Sequence, residues 1–182
     1  MNLEKGQKIE LTKENPGLSK ITVGLGWDLQ TSGPDADLDA SAILVGADGK
    51  GKKVVYFNNK TENGVKHTGD NLTGAGDGDD EQILVDLNAV DSDVERIVFA
   101  VTIFQAAARN QNFGMVKNAF VRIVNNDNNQ EVCRYDLGED YSVEKSVKVA
   151  ELYRHNGEWK FGALGEGFTG EIRELFSSYG LN

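Results

Sequence analysis

The chain has very little cysteine, proline or histidine. Its 182 residues include one cysteine, two prolines and two histidines. A single thiol, Cys133, cannot form an internal disulfide, so nothing calls for an oxidising compartment and a cytoplasmic location is the default expectation. Cys133 lies in a short β-forming run, where we expect it to be buried rather than reactive. Redox chemistry by this chain is therefore disfavoured.

Long apolar runs are also missing. The N-terminal residues contain no stretch that could serve as a signal peptide, and no run approaches the roughly 18 apolar residues of a membrane span. Two tryptophans, five tyrosines, eight phenylalanines and 39% hydrophobic residues nevertheless suffice for a packed core. The length is that of one ordinary domain, and we predict a single domain over residues 1–182.

Basic residues are absent from two acidic segments. Five acids lie between Ile21 and Gly49 and nine between His67 and Glu95, with no Lys or Arg in either segment, and the net charge of the chain is −10. This regional charge argues against nucleic acid as a direct partner. Bound calcium would reverse the charge locally, so calcium-mediated association with a membrane surface stays open.

Helical periodicity is scarce, and most of the chain alternates apolar and polar residues with period two. The β-forming runs are Ile21–Trp27, Ala40–Val45, Val54–Phe57, Ile83–Leu87, Ile97–Ile103, Ala119–Ile123, Val132–Tyr135, Val147–Tyr153 and Trp159–Phe161. Asn156-Gly157 predicts a hairpin turn. One helix is predicted from Ile172 to Tyr179, with Gly180 ending it, and Gln105–Arg109 could form a helical turn. The pattern predicts an all-β fold, an antiparallel β-sandwich of about nine or ten strands with a short C-terminal helix.

Nine carboxylates are concentrated in residues 28–39 and 69–81. Like charges this close repel one another unless a cation binds between them. The runs offer oxygen donors without thiols, which suits a hard divalent cation, calcium better than zinc. The EF-hand pattern does not fit, because Gly46 occupies the twelfth position of a loop that begins at Asp35, where a Glu is needed. The alternative is that both runs are merely solvated turns.

Seven runs along the chain resemble the TerD family of bacterial tellurite-resistance and general stress proteins. The resemblance extends from Leu3 to about Gly180, with the runs in the expected order and spacing. They are Gly24-Leu-Gly-Trp-Asp28, Asp37-Leu-Asp-Ala-Ser41, His67-Thr-Gly-Asp-Asn71, Gly74-Ala-Gly-Asp-Gly-Asp-Asp-Glu81, Asn112-Phe-Gly114, Arg134-Tyr-Asp-Leu137 and Glu151-Leu-Tyr-Arg-His-Asn-Gly-Glu-Trp-Lys160.

The resemblance implies a β-sandwich that binds two calcium ions close together through the two acidic runs. Carried over by position, it implies metal ligands at Asp28, Asp37, Asp39, Asp70, Asn71, Asp79, Asp80 and Glu81. Leu38, Gly76 and Gly78 would contribute backbone carbonyls. Asp35 and Asp77 fall where the family pattern is looser, so they would add to the local negative field only.

The resemblance also implies a function outside enzymology. We expect a calcium-binding module of a stress-response or tellurite-resistance system, which acts through calcium-dependent ordering of the acidic loops and through contacts with other proteins of that system. One departure stands out. Where many members carry a His-Asp pair and a nearby Glu, this chain has Phe104, Gln105 and Ala107, so a surface built on those polar residues would be lost here.

The rival hypothesis is a divalent-metal-dependent protein that handles phosphoesters or nucleotides with the same loops. Two ions could clamp a phosphoryl group, but a hydrolase also needs a base, and the motif offers only His67. We expect His67 to be a loop residue bonded to the backbone instead. The glycine-rich run Gly74–Gly78 lacks the lysine of a phosphate-binding loop, so phosphate could approach only through bound metal.

Overall fold

The alternating runs form a sandwich of two β-sheets. The computed structural model describes residues 1–29, 36–70, 78–138 and 141–182. Its elements are β1 (Asn2–Leu3), β2 (Lys8–Glu10), β3 (Lys20–Leu29), β4 (Leu38–Val45), β5 (Gly51–Val55), β6 (Thr61–Glu62), β7 (Val65–Asp70), β8 (Glu81–Asp86), β9 (Arg96–Ile103), a 3₁₀ helix (Phe113–Met115), β10 (Val116–Asn125), β11 (Gln130–Asp136), β12 (Ser146–His155), β13 (Glu158–Phe168) and α1 (Ile172–Ser177).

Seven strands form sheet A, in the order β1-β11-β10-β3-β8-β7-β6, and six form sheet B, in the order β2-β13-β12-β9-β4-β5. The short β1 runs parallel to β11. All other pairs among the described strands are antiparallel. The predicted all-β sandwich with a short C-terminal helix is thus confirmed, with one parallel pair added.

The sequence pattern missed four of the thirteen strands, β1, β2, β6 and β7. The first three contain only two or three residues, too few to display an alternation. Strand β7 has a single buried apolar residue, Val65, followed by the polar stretch Lys66-His67-Thr68. Its place in sheet A comes from pairing with β8, which a period-two test of β7 alone cannot detect.

The main core fills the space between the sheets. Ile21, Val23 and Leu25 of β3 face Phe99 of β9 and Phe161 of β13 there, all with at most 1% of their surface exposed. Burial of such side chains is the dominant stabilising contribution in a domain of this size.

A second apolar cluster covers the outer face of sheet B. Leu175 and Phe176 of α1 pack there against Ile43 and Val98. Strand β9 is therefore buried on both faces, and its prediction as a half-buried strand was wrong. The reason is α1, because a helix that covers the outer face makes the outward positions apolar as well.

The predicted turn residues hold in the structure. Asn156 and Gly157 have φ values of 53° and 77° and join β12 to β13 in a tight hairpin. Helix α1 ends two residues earlier than predicted, and Gly180 follows it with φ 78°. Gly180 N donates to the Ser177 carbonyl (2.9 Å) and Leu181 N to the Phe176 carbonyl (3.0 Å), the bonding of a Schellman motif.

Helical structure elsewhere in the described chain is slight. Arg109 N donates to the Gln105 carbonyl at 3.0 Å, so the predicted helical turn exists as one α-turn between β9 and the 3₁₀ helix. Of the helices in the described ranges, none has the length and apolar character needed to cross a membrane.

Candidate metal centre

The two acidic runs come together at one end of the sandwich. Strand β3 ends in the first run and β8 begins in the second, and these strands are antiparallel neighbours in sheet A, with Leu25 opposite Glu81. Strand β4, which begins in the first run, belongs to sheet B. A Glu81 carboxylate oxygen accepts a hydrogen bond from Ala40 N at 2.5 Å and so joins the two sheets at this end.

Asp79 lies on the outer face of sheet A, where an arginine pairs with it. Its Oδ1 accepts from Arg122 Nε at 2.8 Å, and its Oδ2 accepts from Arg122 Nη2 at 3.1 Å and from Gln82 Nε2 at 2.9 Å. Only 1% of the Asp79 side chain is exposed. The carboxylate is thus held in a bidentate fork, the geometry in which an arginine binds a carboxylate most strongly.

A glycine makes room for this arrangement. Arg122, Gly24 and Gln82 stand side by side on β10, β3 and β8. A Cβ at Gly24 would overlap the Asp79 carboxylate. The carboxylate therefore lies directly on the backbone of β3 and reaches the side chains on both sides.

Asp80 and Asp28 form a more open pair beside Asp79. Asp80 Oδ2 accepts from Trp27 N at 2.8 Å, and Asp28 Oδ2 accepts from Asn118 Nδ2 at 2.8 Å. Partial desolvation raises the pKa of Asp80, and the charges of Asp28 and Asp79 raise it further, while the Trp27 hydrogen bond lowers it. Asp80 thus carries a negative charge at a position where the neighbouring carboxylates oppose it.

Glu81 and His67 are buried behind this pair, with 2% and 3% of their surface exposed. Gly69 N donates to His67 Nδ1 at 2.9 Å, so the ring proton resides on Nε2, which faces the Glu81 carboxylate at 3.2 Å. A hydrogen bond between His67 and the backbone was predicted, but the prediction that His67 lies in a loop was wrong. His67 belongs to strand β7 because it pairs with Ile83 of β8.

Asp37 of the first run directly precedes β4 of sheet B. The Asp37 carbonyl accepts from Phe104 N at 2.7 Å, while its side chain is exposed. Leu38 pairs with Ile103 and packs into the main core. By strand alternation Asp39 then lies on the outer face of sheet B, beside Thr102. Asp39 and Asp79 are therefore on different sheets.

The other predicted ligands have simple placements. Asn71 and Gly76 fall outside the described residues, as do Asp35 and Asp77. Asp70 is the last residue of β7 and pairs with Glu81. The Gly78 carbonyl lies over Gly26, 2.9 Å from where a Cβ of that glycine would be. Across the described ranges, no three His, Cys, Asp or Glu side chains stand together as a metal-ligand set.

The donors that are present suit a hard cation. Asp28, Asp80 and Glu81 lie with the start of β4 at one end of the molecule and offer carboxylate oxygens, without a thiol among them. The Arg122 guanidinium, which pairs with Asp79 from the neighbouring strand, shows that this carboxylate accepts a cationic partner. The chemistry of the donor set therefore fits calcium better than a soft metal.

Sequence reasoning missed Arg122, Gln82 and Asn118 as parts of this site. Neither acidic segment contains a Lys or Arg, and the partner of Asp79, Arg122, comes instead from β10, some forty residues further along the chain. The sequence did show that Arg122 lies between two inward-facing residues, Val121 and Ile123, and so faces outward from its strand. Its use for Asp79 depends on the strand order β10-β3-β8, which the alternation does not reveal.

A profile described as the TerD domain matches residues 1–179. The chain belongs to the TerD family. It is 53% identical to general stress protein 16U of Bacillus subtilis, over 100% of this chain and 97% of that protein. It is 50% identical to the tellurium resistance protein TerD of Serratia marcescens, over 100% of this chain and 98% of that protein.

Two solved structures share the fold. The crystal structure of a protein of unknown function superimposes with a TM-score of 0.72 at 27% identity, over 91% of this chain and 99% of that chain. A homologue of the telluride resistance protein TerD from Streptomyces coelicolor A3(2) gives 0.69 at 25% identity, over 88% and 96%. The sandwich described above is thus the TerD fold.

Two of the TerD-family runs now have structural explanations. In Gly24-Leu-Gly-Trp-Asp28, Leu25 enters the core while the two glycines leave the outer face of β3 open for Asp79 and for the ring of Phe120. In Asn112-Phe-Gly114, the Asn112 side chain accepts from Gly114 N at 2.8 Å and caps the 3₁₀ helix.

The departure from the TerD-family pattern lies beside sheet B. Phe104 is 38% exposed and Gln105 has φ 51°, so the chain turns sharply after β9. Both residues line a cleft of about 330 Å³, together with Asp39 and with Glu171 at the start of α1. An aromatic surface therefore stands where polar side chains were expected from the family pattern.

The lone cysteine is structural, as predicted. Cys133 is fully buried in the main core. Burial raises the pKa of its thiol to about 12, so the thiol stays protonated at neutral pH.

Proposed function

We propose that this TerD-family protein is a calcium-binding, non-enzymatic module of a bacterial stress response that includes resistance to tellurium compounds. The observation that carries the proposal is the meeting of the two acidic runs, where burial raises the pKa of Asp80 and the charges of Asp28 and Asp79 raise it further. The names of the relatives, a general stress protein and a tellurium resistance protein, support the biological setting.

The proposed ligands are the predicted set, with Asp28 and Asp80 at its centre. Bound calcium would supply positive charge that relieves the repulsion among these carboxylates. The proposed site for two ions is completed by the side chains of Asp37, Asp39, Asp70, Asn71 and Glu81 and by the backbone carbonyls of Leu38, Gly76 and Gly78. Asp79 is also a proposed ligand, to the extent that its ion pair with Arg122 leaves its oxygens available.

The effect of filling would reach both sheets. Glu81 starts β8 in sheet A and accepts from Ala40 N in sheet B, so any pull on its carboxylate acts on the contact between the sheets. Ligand-bound loops are ordered and less negative than empty ones, which changes the surface that partner proteins of the same stress system would meet. The response is thus electrostatic first and conformational second.

Two observations weigh against the rival enzymatic hypothesis. Both ring nitrogens of His67 are engaged, Nδ1 by Gly69 N and Nε2 by Glu81, and the ring is buried, so it is poorly placed as a general base. The buried, protonated thiol of Cys133 is equally ill-suited to reduce an oxyanion. We therefore propose binding rather than turnover.

The test is thermal unfolding in EDTA, magnesium and calcium, with calorimetric titration of calcium. We expect calcium to raise the midpoint by mass action, by about 2.7 kcal/mol of unfolding free energy at one hundred times Kd for one site. The double variant Asp28→Asn with Asp80→Asn should lose the response. A control pair with the same charge change, Asp93→Asn with Asp127→Asn, should keep it. Equal midpoints in calcium and EDTA for the unaltered protein would refute the proposal.

The biological part needs cells. Host cells that lack the protein should survive tellurite poorly, and the unaltered protein should restore survival. The Asp28→Asn, Asp80→Asn variant should not restore it at matched abundance, whereas the Asp93→Asn, Asp127→Asn pair should. Restoration by the first pair would separate tellurite resistance from calcium.

A further inference from the structure

Asp79 of the second acidic run has an arginine as its partner. Arg122 bonds both of its oxygens, Gln82 bonds one of them, and the side chain is almost fully buried. The Arg122 side chain itself is 28% exposed, and its Nη1 donates to a Glu131 carboxylate oxygen at 3.4 Å, so the guanidinium contacts a second carboxylate on the more exposed side of the pair. The ion pair is built into the sheet surface at Gly24.

A cation that binds beside Asp79 must contend with this arginine in two ways. The two hydrogen bonds of the fork occupy the carboxylate oxygens that a metal would use. The guanidinium also adds a positive charge close to the site, because an arginine side chain stays protonated in proteins. Both effects lower the affinity for calcium.

We propose that Arg122 is an internal counter-cation, which holds Asp79 in the metal-free protein and thereby sets the calcium concentration at which the site fills. This inference rests on the function proposed above and names how that same site is regulated. In the metal-free state Arg122 neutralises one carboxylate of the acidic end and keeps the start of β8 on sheet A. When calcium binds, Asp79 is shared or exchanged between the two cations.

Arg134 provides a control for charge. It is the cross-strand neighbour of Arg122 on β11, on the same outer face of sheet A. Its guanidinium stacks on the Phe120 ring at 3.9 Å and pairs with Asp136 at 2.8 Å. Replacing Arg134 therefore removes the same formal charge without releasing Asp79.

The competing explanation is that Arg122 merely orients Asp79 as a metal ligand. The two explanations predict opposite signs. If Arg122 orients Asp79, its replacement should lower the calcium affinity, because the ligand becomes misplaced. If Arg122 competes with calcium, its replacement should raise the calcium affinity, because the carboxylate and the local negative potential become available to the metal.

The experiment measures calcium affinity by calorimetry, and unfolding by urea in EDTA, for Arg122→Gln and Arg134→Gln. We expect Arg122→Gln to bind calcium about tenfold more tightly and to unfold at lower urea in EDTA. Arg134→Gln should keep the affinity of the unaltered protein within about twofold. Affinity that is unchanged or weaker in Arg122→Gln overturns the proposal.

Arg122→Lys keeps the test open if Arg122→Gln fails to fold. Lysine retains the charge but cannot form the bidentate fork. We expect Arg122→Lys to be less stable in EDTA than the unaltered protein and to bind calcium more tightly than it does. Weaker calcium binding by Arg122→Lys than by the unaltered protein would instead support the orienting role and overturn ours.

Failure of this inference is distinct from failure of the proposed function. If the unaltered protein binds calcium and Arg122→Gln binds no better, the counter-cation role alone is wrong. If neither protein binds calcium, both proposals are wrong. If only Arg122→Gln binds calcium, the counter-cation role stands and the unaltered protein is held in the metal-free state.

Discussion

The two sheets of the sandwich are covered on their outer faces in different ways. Over sheet B, Leu175 and Phe176 of α1 lie on apolar strand residues. Over sheet A, the Asp79 carboxylate lies on the bare backbone of Gly24 and pairs with Arg122 of the neighbouring strand. An apolar cover stabilises without regard to ions, whereas an ion-paired cover is worth more or less according to which cations are present. Only the second kind of cover can report on calcium.

This contrast also explains where the acidic residues occur. Gly24 and Gly26 face outward on β3, so the Asp79 carboxylate from the second run can lie against the sheet. On sheet B the corresponding surface near α1 is filled with side chains such as Ile43 and Val98. A charge placed there would lose its hydration without gaining a partner. The molecule thus has an apolar cover on one sheet and an ion-paired cover on the other.

The largest effect is expected from Leu175→Ala on sheet B. Leu175 is fully buried, and its truncation should lower the unfolding free energy by about 2–5 kcal/mol, equally in EDTA and in calcium. Urea unfolding under both conditions measures this, with Val143→Ala at an exposed position as the control. If calcium protected Leu175→Ala much more than the unaltered protein, the two faces would not be independent.

Gly24→Ala should have an intermediate effect and act on sheet A. The added methyl group displaces the Asp79 carboxylate from Arg122, which should cost about 1–3 kcal/mol in EDTA. Because Asp79 is displaced, the calcium-induced shift of the midpoint should also change. Gly138→Ala is the matched control, since a Cβ there meets nothing within 4 Å. Indifference to Gly24→Ala would show that Asp79 rests elsewhere.

Asp80→Asn should have the smallest effect on stability, and the opposite sign. The folded-state pKa of Asp80 lies above its usual value. Between the unfolded-state pKa and this folded-state pKa, the folded protein therefore binds more protons than the unfolded chain. Its ionisation therefore lowers stability as the pH rises through that folded pKa. In EDTA at neutral pH, Asp80→Asn should unfold at a slightly higher temperature and show a flatter acid profile.

The control for this last variant is Asp127→Asn, in the turn between β10 and β11, which should leave the acid profile unchanged. In calcium the order should reverse, and Asp80→Asn should melt below the unaltered protein because a ligand is missing. A destabilised Asp80→Asn protein in EDTA would mean that the Trp27 hydrogen bond outweighs the desolvation and the neighbouring charges.

The sequence predicted the fold well where side chains alternate over many residues, as in β3 and β10. It failed for strands of two or three residues, because such pairing depends on the neighbouring strand rather than on local pattern. It also failed for the outer face of β9, since the cover by α1 comes from residues about seventy positions away. Local periodicity reports burial on one face and not what covers the other.

For the candidate site, composition alone identified the two acidic runs, and the structure brings their described ends to one end of the sandwich. The pairing of Asp79 with Arg122 could not be predicted, because it requires knowing that β10 and β8 flank β3. The partnership of Glu81 with Ala40 N likewise crosses between sheets. The sequence shows where carboxylates are concentrated, but which side chains neutralise them depends on the order of the strands in the sheet.

The arrangement at His67 has a practical consequence. Its imidazole is fixed in one tautomer, with Nδ1 accepting from Gly69 N and the Nε2 proton facing Glu81 in a buried position. A ring held in this way gives two widely separated ¹⁵N resonances and a side-chain proton that is shielded from exchange with water. Since the other histidine is on the exposed β12–β13 hairpin, the buried signal can be assigned by inspection. The protein thus carries its own magnetic resonance label at the boundary between its two sheets.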